Sequence, residues 1–569
     1  MEKRIILFAI ICAGFFVRVW GIDYGLPYVL HQDEPIIINH ALAYGTGDLN
    51  PHFFIIPPAC SYLLFFCYIV FFVMGKLFGI FSGVSDFAMS YFKDPTYFYI
   101  IARTVLGVIP GTLSILFTYT LYKRLFSEKG ALYAAAVVAF SFLTAVNSHY
   151  AYVDNMMLML VLLAYLSIVN MMQRPSLKNY LIAGALLGGA IGVKYNSGIL
   201  IVPMLLAHVF AVSDAIRKKT DIVLDKNMWM AMAAAAAVFI VINPFAVLDW
   251  QYFASSVPGR IRTAYMGWTH HLIYSLREGM GWFLVIPGII GALAMCGRTE
   301  KRKTLVFLSF PVVFYMHLVL GSQRFSRYAL PLVPFLAMGA AFFFFNFMGK
   351  YAKNRIGKNI IMTLSLILII PTLVKSVKAD MLFAGQDTRS LSALWIEENI
   401  VPGSKIAVDH TSYRPQIFQS DDQIKEKYRL ADSQKGLESV KQKKLDYLLK
   451  VAEGRRSYDV FFIGAQSGEK SMFMSMSPGI EGDLEVLKKN GIEYMVVNYY
   501  TGSPDSDLIN SVKAEGKVLA EFSPYHDGHI AVPNDKVDHT FMNIGSKELF
   551  SRNATGPCIV VYAIEKHEK

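Results

Sequence analysis

Long apolar runs alternate with short polar connections along most of this chain, and the runs are of membrane-crossing length. About eleven of them, near 5–22, 97–122, 130–147, 153–172, 178–193, 196–212, 228–248, 280–297, 303–321, 327–347 and 359–378, are predicted to be transmembrane helices. A further apolar run, about Ala59–Phe81, is also long enough to cross. Beyond about residue 380 the pattern changes. Short β-like runs at Lys405–Val408, Asp459–Ile463, Tyr494–Val497 and Cys558–Ile564 alternate with helical stretches at Ser392–Asn399 and Asp483–Asn490. That alternation predicts a small α/β domain. The fold class is therefore a polytopic α-helical membrane protein over 1–380, with a C-terminal soluble α/β domain over 381–569.

Charge fixes the expected topology. Lys3 and Arg4 precede the first run, but Arg18-Val19-Trp20 follows it where a signal peptide would carry a small-residue cleavage site. The expectation is an uncleaved first span with a cytoplasmic N-terminus in the cell membrane. The basic connections are Lys123-Arg124…Lys129, Arg174…Lys178, Arg217-Lys218-Lys219…Lys226, Arg298…Lys303 and Lys350…Lys358. Positive charge marks cytoplasmic loops. Only one crossing can then lie between Asp23 and Lys123, so Ala59–Phe81 is expected to lie along or re-enter the outer face. The first outer loop becomes 23–96, and an odd number of spans puts the C-terminal domain outside. Lys194-Tyr195-Asn196 is read as a tight outer turn between two spans rather than a break in one.

Composition excludes other classes. The chain is 54% hydrophobic, too apolar for a soluble protein. Its net charge of +11 is accounted for by the cytoplasmic loops, and no basic patch with interleaved aromatics suggests nucleic acid. The five cysteines include no CxxC pair, so neither a zinc site nor a disulfide framework is indicated. No phosphate-binding glycine loop, nucleophile elbow or fixed-period repeat is present.

The candidate chemistry gathers on the expected outer face. His31-Gln32-Asp33-Glu34-Pro35 puts two adjacent carboxylates in the first outer loop. They could simply cap a helix starting near Pro35. The same face holds His52, His149, Asp154, Lys194, Tyr195, Arg262 and Arg327, and Arg103 lies within the second span. Ionisable groups at membrane depth are expensive and usually face a cavity or a partner, although long side chains can also snorkel. Acids opposite Lys and Arg suit an anionic lipid phosphate held beside a general base. His149, His270 and His271 lack the HxxxH spacing of a helical metal site. The sequence calls for no organic cofactor and leaves a divalent cation open, with Asp33 and Asp154 as the residues that would hold it.

Gly47-Asp48-Leu49-Asn50-Pro51-His52-Phe53-Phe54 follows the acidic pair, and then Pro57-Pro58. This loop resembles that of the dolichyl-phosphate-mannose:protein mannosyltransferases and their bacterial relatives, including the lipid A aminoarabinose transferase. Further matching pieces are Arg103-Thr104-Val105-Leu106-Gly107, Leu121–Phe126, Ser148-His149-Tyr150…Asp154, Gly192–Asn196 and Arg327–Pro331. The resemblance spans roughly residues 1–380 and departs at Gln32, where relatives often carry Pro. It implies a C-type (GT-C) glycosyltransferase that inverts the anomeric carbon of a polyprenyl-phosphate-linked sugar at the outer face, with helices of the first loop lying on the membrane surface. It implies Asp33 as the base, with Glu34 supporting it or binding the acceptor. The C-terminal domain does not match the β-trefoil of eukaryotic members, so a protein acceptor is not implied.

The sequence reading is thus a membrane hexosyl- or pentosyltransferase. Asp33 and Glu34 are its catalytic candidates. Arg103, Lys194, Arg262 and Arg327 are candidates for the donor phosphate. Asp154, His52, His149 and Tyr195 are candidates for the hydroxyl acceptor or a cation. The alternative is a transporter or flippase of an anionic lipid or sugar, which more often shows repeated halves and midplane broken helices.

Overall fold

A computed structural model describes residues 2–128, 130–213, 225–256, 267–321, 324–352, 354–409, 413–430, 438–464, 479–500, 506–526 and 544–564. Each of the eleven predicted spans falls on helix. Among the described residues, seven helices are by themselves long and apolar enough to cross a membrane, or eight if the bent pair His271–Met280 and Trp282–Met295 is one span. Others are shorter or broken. The run 130–147 is two helices, Ala131–Phe140 and Phe142–Asn147, separated where Ser141 turns extended. The break leaves carbonyls without helical donors. Arg18 Nη1 and Nη2 donate to Ala139 O and Val138 O, at 2.8 and 3.0 Å.

Helix Val153–Gln173 is apolar on all sides and buried along most of its length, so it forms the axis of the bundle. Leu177–Val193 packs on it and also lies tightly on Lys226–Ile242. A Cβ at Gly184 or Gly188 would meet the carbonyl oxygen of Ala231 or Ala235 at 2.0 or 2.1 Å. Small residues there let the two backbones touch, the usual basis of helix packing in lipid.

Two topological expectations can be followed through contacts. Tyr180, early in Leu177–Val193, hydrogen-bonds His208, late in the helix Ile201–Val212, at 2.6 Å. In one continuous helix they would be about 40 Å apart at 1.5 Å per residue. The chain therefore reverses at 194–200, as expected of two spans with a turn. Three of the basic connections also meet at one end. Lys3 and Lys123 both pair with Glu128, at 3.2 and 2.8 Å. Tyr122 bonds Asn346 at 2.8 Å, and Arg298 bonds Tyr351 at 3.1 Å. The stretch Arg217–Lys219 lies outside the described residues.

Ala59–Leu77 is a single helix, and by length and composition it could cross. Its contacts favour the surface-lying reading. Its start bonds the first loop through Ser61 and Tyr44 at 2.9 Å. Its far half meets Phe81, Phe87 and Phe98 through Phe71. The next helix, Val84–Lys93, touches the C-terminal domain. Phe98 stands near the start of the helical run Thr96–Leu125, whose other end carries Lys123.

The C-terminal domain holds a six-stranded sheet, numbered in chain order β1 (Lys405–Asp409), β2 (Asp459–Ile463), β3 (Gly479–Ile480), β4 (Tyr494–Tyr499), β5 (Lys517–Phe522) and β6 (Cys558–Ala563). The strand order is β3-β2-β1-β4-β6-β5. β1, β2, β3 and β4 run parallel, and β6 runs antiparallel to both β4 and β5. The α/β expectation holds. The four predicted strands are β1, β2, β4 and β6. β3 and β5 are edge strands. β5 keeps most of its side chains in solvent, so it has no buried face to make an apolar pattern.

Candidate functional site

Helix Glu34–Ala43 starts at the acidic motif, with Glu34 in its first turn followed by Pro35, a residue preorganised for that position. Asp33 is at the N-cap, yet its side chain makes no capping hydrogen bond. The helix-capping explanation of this acid therefore fails. Its Oδ2 accepts from Arg327 Nη2 at 2.9 Å instead.

Arg327 joins Asp33 to a second acid. Its Nε is 3.5 Å from Asp154 Oδ2, and Lys194 Nζ bonds Asp154 Oδ1 at 2.5 Å. Four distant parts of the chain thus meet. Asp154 is in the first turn of Val153–Gln173, where the helix dipole favours an acid. Lys194 follows the end of the antiparallel helix Leu177–Val193. Arg327 opens the segment Ser326–Leu332. Aromatic faces surround the cations. The Arg327 guanidinium carbon is 4.2 Å from the Phe325 ring and 5.0 Å from that of Tyr152, and Lys194 Nζ is 4.4 Å from that of Tyr328. The cluster is open in one place. The Asp33 and Lys194 side chains keep 20% and 16% of their surface exposed, against 3% and 5% for Arg327 and Asp154. Burial pushes the Asp33 carboxyl above its ordinary range, while Arg327 pulls it back and Asp154 adds to the rise.

Glu34 goes elsewhere. Its two oxygens accept from Arg103 Nε and Nη2, both at 2.8 Å, and neither side chain has exposed surface. Glu34 Oε1 also accepts from Ala151 N, at 2.8 Å. Arg103 Nη1 donates to Ile22 O and Tyr24 O, at 2.7 and 2.8 Å. This sealed pair corrects two expectations. Arg103 is engaged inside the protein and has no face toward a donor phosphate. Glu34 is taken up by Arg103 and the Ala151 backbone, with no exposed surface for an acceptor hydroxyl. Gly107 allows the pair to form. It lies within a π-bulge at Thr104–Val108, and a Cβ there would lie 2.2 Å from Ser148 O. That close approach brings the 148–151 backbone up to Glu34.

The remaining candidates scatter. Both His149 ring nitrogens face backbone carbonyls, Nε2 that of Trp20 at 2.9 Å and Nδ1 that of Ala145 at 3.1 Å, and Asp380 is 3.6 Å away. It is an interior tie rather than an acceptor contact. His52 pairs with Asp48 at 2.9 Å in its own loop. Tyr195 donates to Phe54 O at 2.9 Å, fastening the first loop to the 194–200 turn. Arg262 lies outside the described residues. His270 and His271 are buried beside each other, and His271 Nδ1 bonds Ser275. Among the described residues no three His, Cys, Asp or Glu side chains group as a metal site. Asp33 and Asp154, the two acids that would hold a cation, are instead bridged by Arg327, with Lys194 on Asp154.

Fold and site together define a polytopic helical membrane protein with an acid–cation cluster at one end of the bundle and an α/β domain appended. Residues 100–248 match the model of a family described as Dolichyl-phosphate-mannose-protein mannosyltransferase. The chain is thus similar to the family that its 23–96 loop resembles, over a stretch that contains Arg103, Asp154, Lys194 and Tyr195 but not the acidic motif itself. No curated protein matches the chain in sequence. Among solved structures, ArnT from Cupriavidus metallidurans bound to undecaprenyl phosphate is 14% identical, covers 98% of both chains and has a TM-score of 0.49. The Archaeoglobus fulgidus oligosaccharyltransferase in the apo form is 12% identical, covers 96% of this chain and 77% of its own, and has a TM-score of 0.47.

Proposed function

We propose that this protein moves a sugar from a polyprenyl-phosphate donor to a hydroxyl acceptor, and that the Asp33–Arg327–Asp154–Lys194 cluster is where it does so. The family match supports a lipid-phosphate sugar donor. The observation that carries the reading is the position of Asp33, a partly open carboxylate 2.9 Å from a buried arginine. Asp33 takes the proton of the acceptor hydroxyl. The oxygen attacks the anomeric carbon from the face opposite the leaving group, so the centre inverts. The anomeric C–O bond breaks, and polyprenyl phosphate leaves with its negative charge. Arg327 and Lys194 hold that phosphate, where fixed cations stabilise charge as it develops. Asp154 sets both cations in place. In this reading the cluster faces the outer side of the membrane, the N-terminus is cytoplasmic, and the C-terminal domain lies outside with the cluster.

Purified protein in lipid nanodiscs, given radiolabelled polyprenyl-phosphate sugars, tests the reading. Hydrolysis or transfer of the sugar, with release of polyprenyl phosphate, supports it. Movement of the intact lipid across a bilayer without cleavage overturns it in favour of a transporter.

A further inference from the structure

His31 stands two residues before Asp33, and the reaction above makes no use of it. Its ring is buried and packs tilted against Tyr150, with centroids 4.5 Å apart. Its Nδ1 accepts the Asp33 backbone N–H at 3.2 Å, so that nitrogen carries no proton. Asp33 has no side-chain capping bond, so its backbone is set by the Ile36 N–H on its carbonyl, at 3.2 Å, and by what holds the peptides just before it.

Those peptides are held by the C-terminal domain. Arg389 Nη1 donates to Leu30 O, the carbonyl directly before His31, at 3.1 Å. Arg389 is fixed by a two-point pair with Asp387, Nε to Oδ1 at 2.8 Å and Nη2 to Oδ2 at 2.9 Å. Nη2 also donates to the Tyr24 hydroxyl at 2.8 Å. Both members of the pair are buried. The Tyr24 carbonyl accepts from Arg103, so the stretch 24–31 is gripped by one arginine from the helical bundle and another from the C-terminal domain. Gln416 Nε2 adds a bond to Val29 O at 2.6 Å. Further along the same loop, Tyr447 stacks on Phe92 at 5.5 Å, and Arg455 donates to Lys93 O at 3.1 Å.

A domain that merely rested on the bundle could dock anywhere on it. This one places a buried, fully oriented guanidinium on the peptide that leads into the acidic motif. We propose that Asp387 and Arg389 are positioning residues for Asp33, acting through the Leu30 carbonyl and the His31 ring. The part of this that concerns turnover rests on the reaction proposed above; the grip on the loop does not.

The test uses the full-length protein in nanodiscs. Arg389→Gln alone would strand a buried Asp387 charge and endanger folding, so the double variant Asp387→Asn/Arg389→Gln removes both charges. His31→Leu removes the acceptor for the Asp33 N–H, and His31→Asn keeps one nearby. Deuterium exchange is read on peptides covering 24–36, and kcat and KM are read with a polyprenyl-phosphate sugar. The double variant should exchange about tenfold faster over 24–36 and lose about tenfold to a hundredfold in kcat, the range expected for a misplaced reacting group, with donor KM nearly unchanged. His31→Leu should show the same loss in kcat, and His31→Asn should recover most of it. Unchanged exchange over 24–36 in the double variant, or normal kcat in His31→Leu, overturns the proposal. If the wild type turns over no polyprenyl-phosphate sugar, the transferase reading falls, while faster exchange in the double variant still upholds the grip.

Discussion

Asp33 and Glu34 share a peptide bond, yet each meets a different arginine in a different setting. Glu34 and Arg103 close on one another through two 2.8 Å bonds, with no exposed surface and with backbone groups taking up further capacity on both sides. Asp33 meets Arg327 through one 2.9 Å bond, shares it with Asp154, and keeps a fifth of its side chain open. A sealed pair sets geometry, because a buried ion pair is tolerated only when its hydrogen-bonding groups are satisfied. An open cluster can admit a substrate and exchange a proton with it. Helix geometry enforces the division. Consecutive residues at a helix start point about 100° apart, so one acid faces the second span and the other faces Arg327.

The contrast can be broken at either end, and the largest effect is expected at the open one. Asp33→Asn keeps size and a bond to Arg327 but cannot take a proton. Turnover should fall by about a thousandfold, within the range of a lost general base, with melting temperature unchanged in a thermal shift assay. Next comes Glu34→Gln, which leaves Arg103 buried beside a neutral amide. Breaking such a pair typically costs about 3–5 kcal/mol, so a marked drop in melting temperature is expected, while Glu34→Gln/Arg103→Gln should regain part of it. A smaller effect is expected for Arg327→Lys. The charge stays but the planar fork that reaches both acids is lost, so donor KM should rise about tenfold in steady-state assays, with stability nearly unchanged.

The smallest effect concerns pH. Burial raises the Asp33 carboxyl above the ordinary carboxylate range, and the base works only when deprotonated. The profile of kcat/KM should therefore fall toward acid, with its midpoint above the usual value for an aspartate. Arg327 lowers that midpoint, so Arg327→Gln should shift the acid limb to higher pH. A limb that did not move would uncouple the two residues.

Much of this was legible in the sequence, because apolar periodicity and loop charge are strong signals. The helical segments, the reversal at Lys194 and four of the strands all follow from them. The convergence of Asp33, Asp154, Lys194 and Arg327 was legible as a shared face but not as contacts, since those residues come from four separate parts of the chain. The division of labour between Asp33 and Glu34 was hidden. It depends on Gly107 letting the 148–151 backbone reach one acid and not the other. Arg103 misled for the same reason, since an intramembrane arginine serving a substrate and one serving a buried carboxylate look alike in sequence. The grip of Asp387 and Arg389 had no signal at all: two charged residues in a polar domain are unremarkable until a carbonyl 359 positions earlier meets them.

The most direct test is turnover per folded molecule for Asp33→Asn and Glu34→Gln side by side, with folded protein quantified by size exclusion in detergent. Asp33→Asn is predicted to be fully folded and essentially inactive. Glu34→Gln is predicted to yield less folded protein, with the folded fraction turning over at a rate close to that of the wild type. A folded Asp33→Asn protein that still transfers sugar at near-normal rates, or a well-folded but inactive Glu34→Gln, would contradict the assignment of the open cluster as the reacting site.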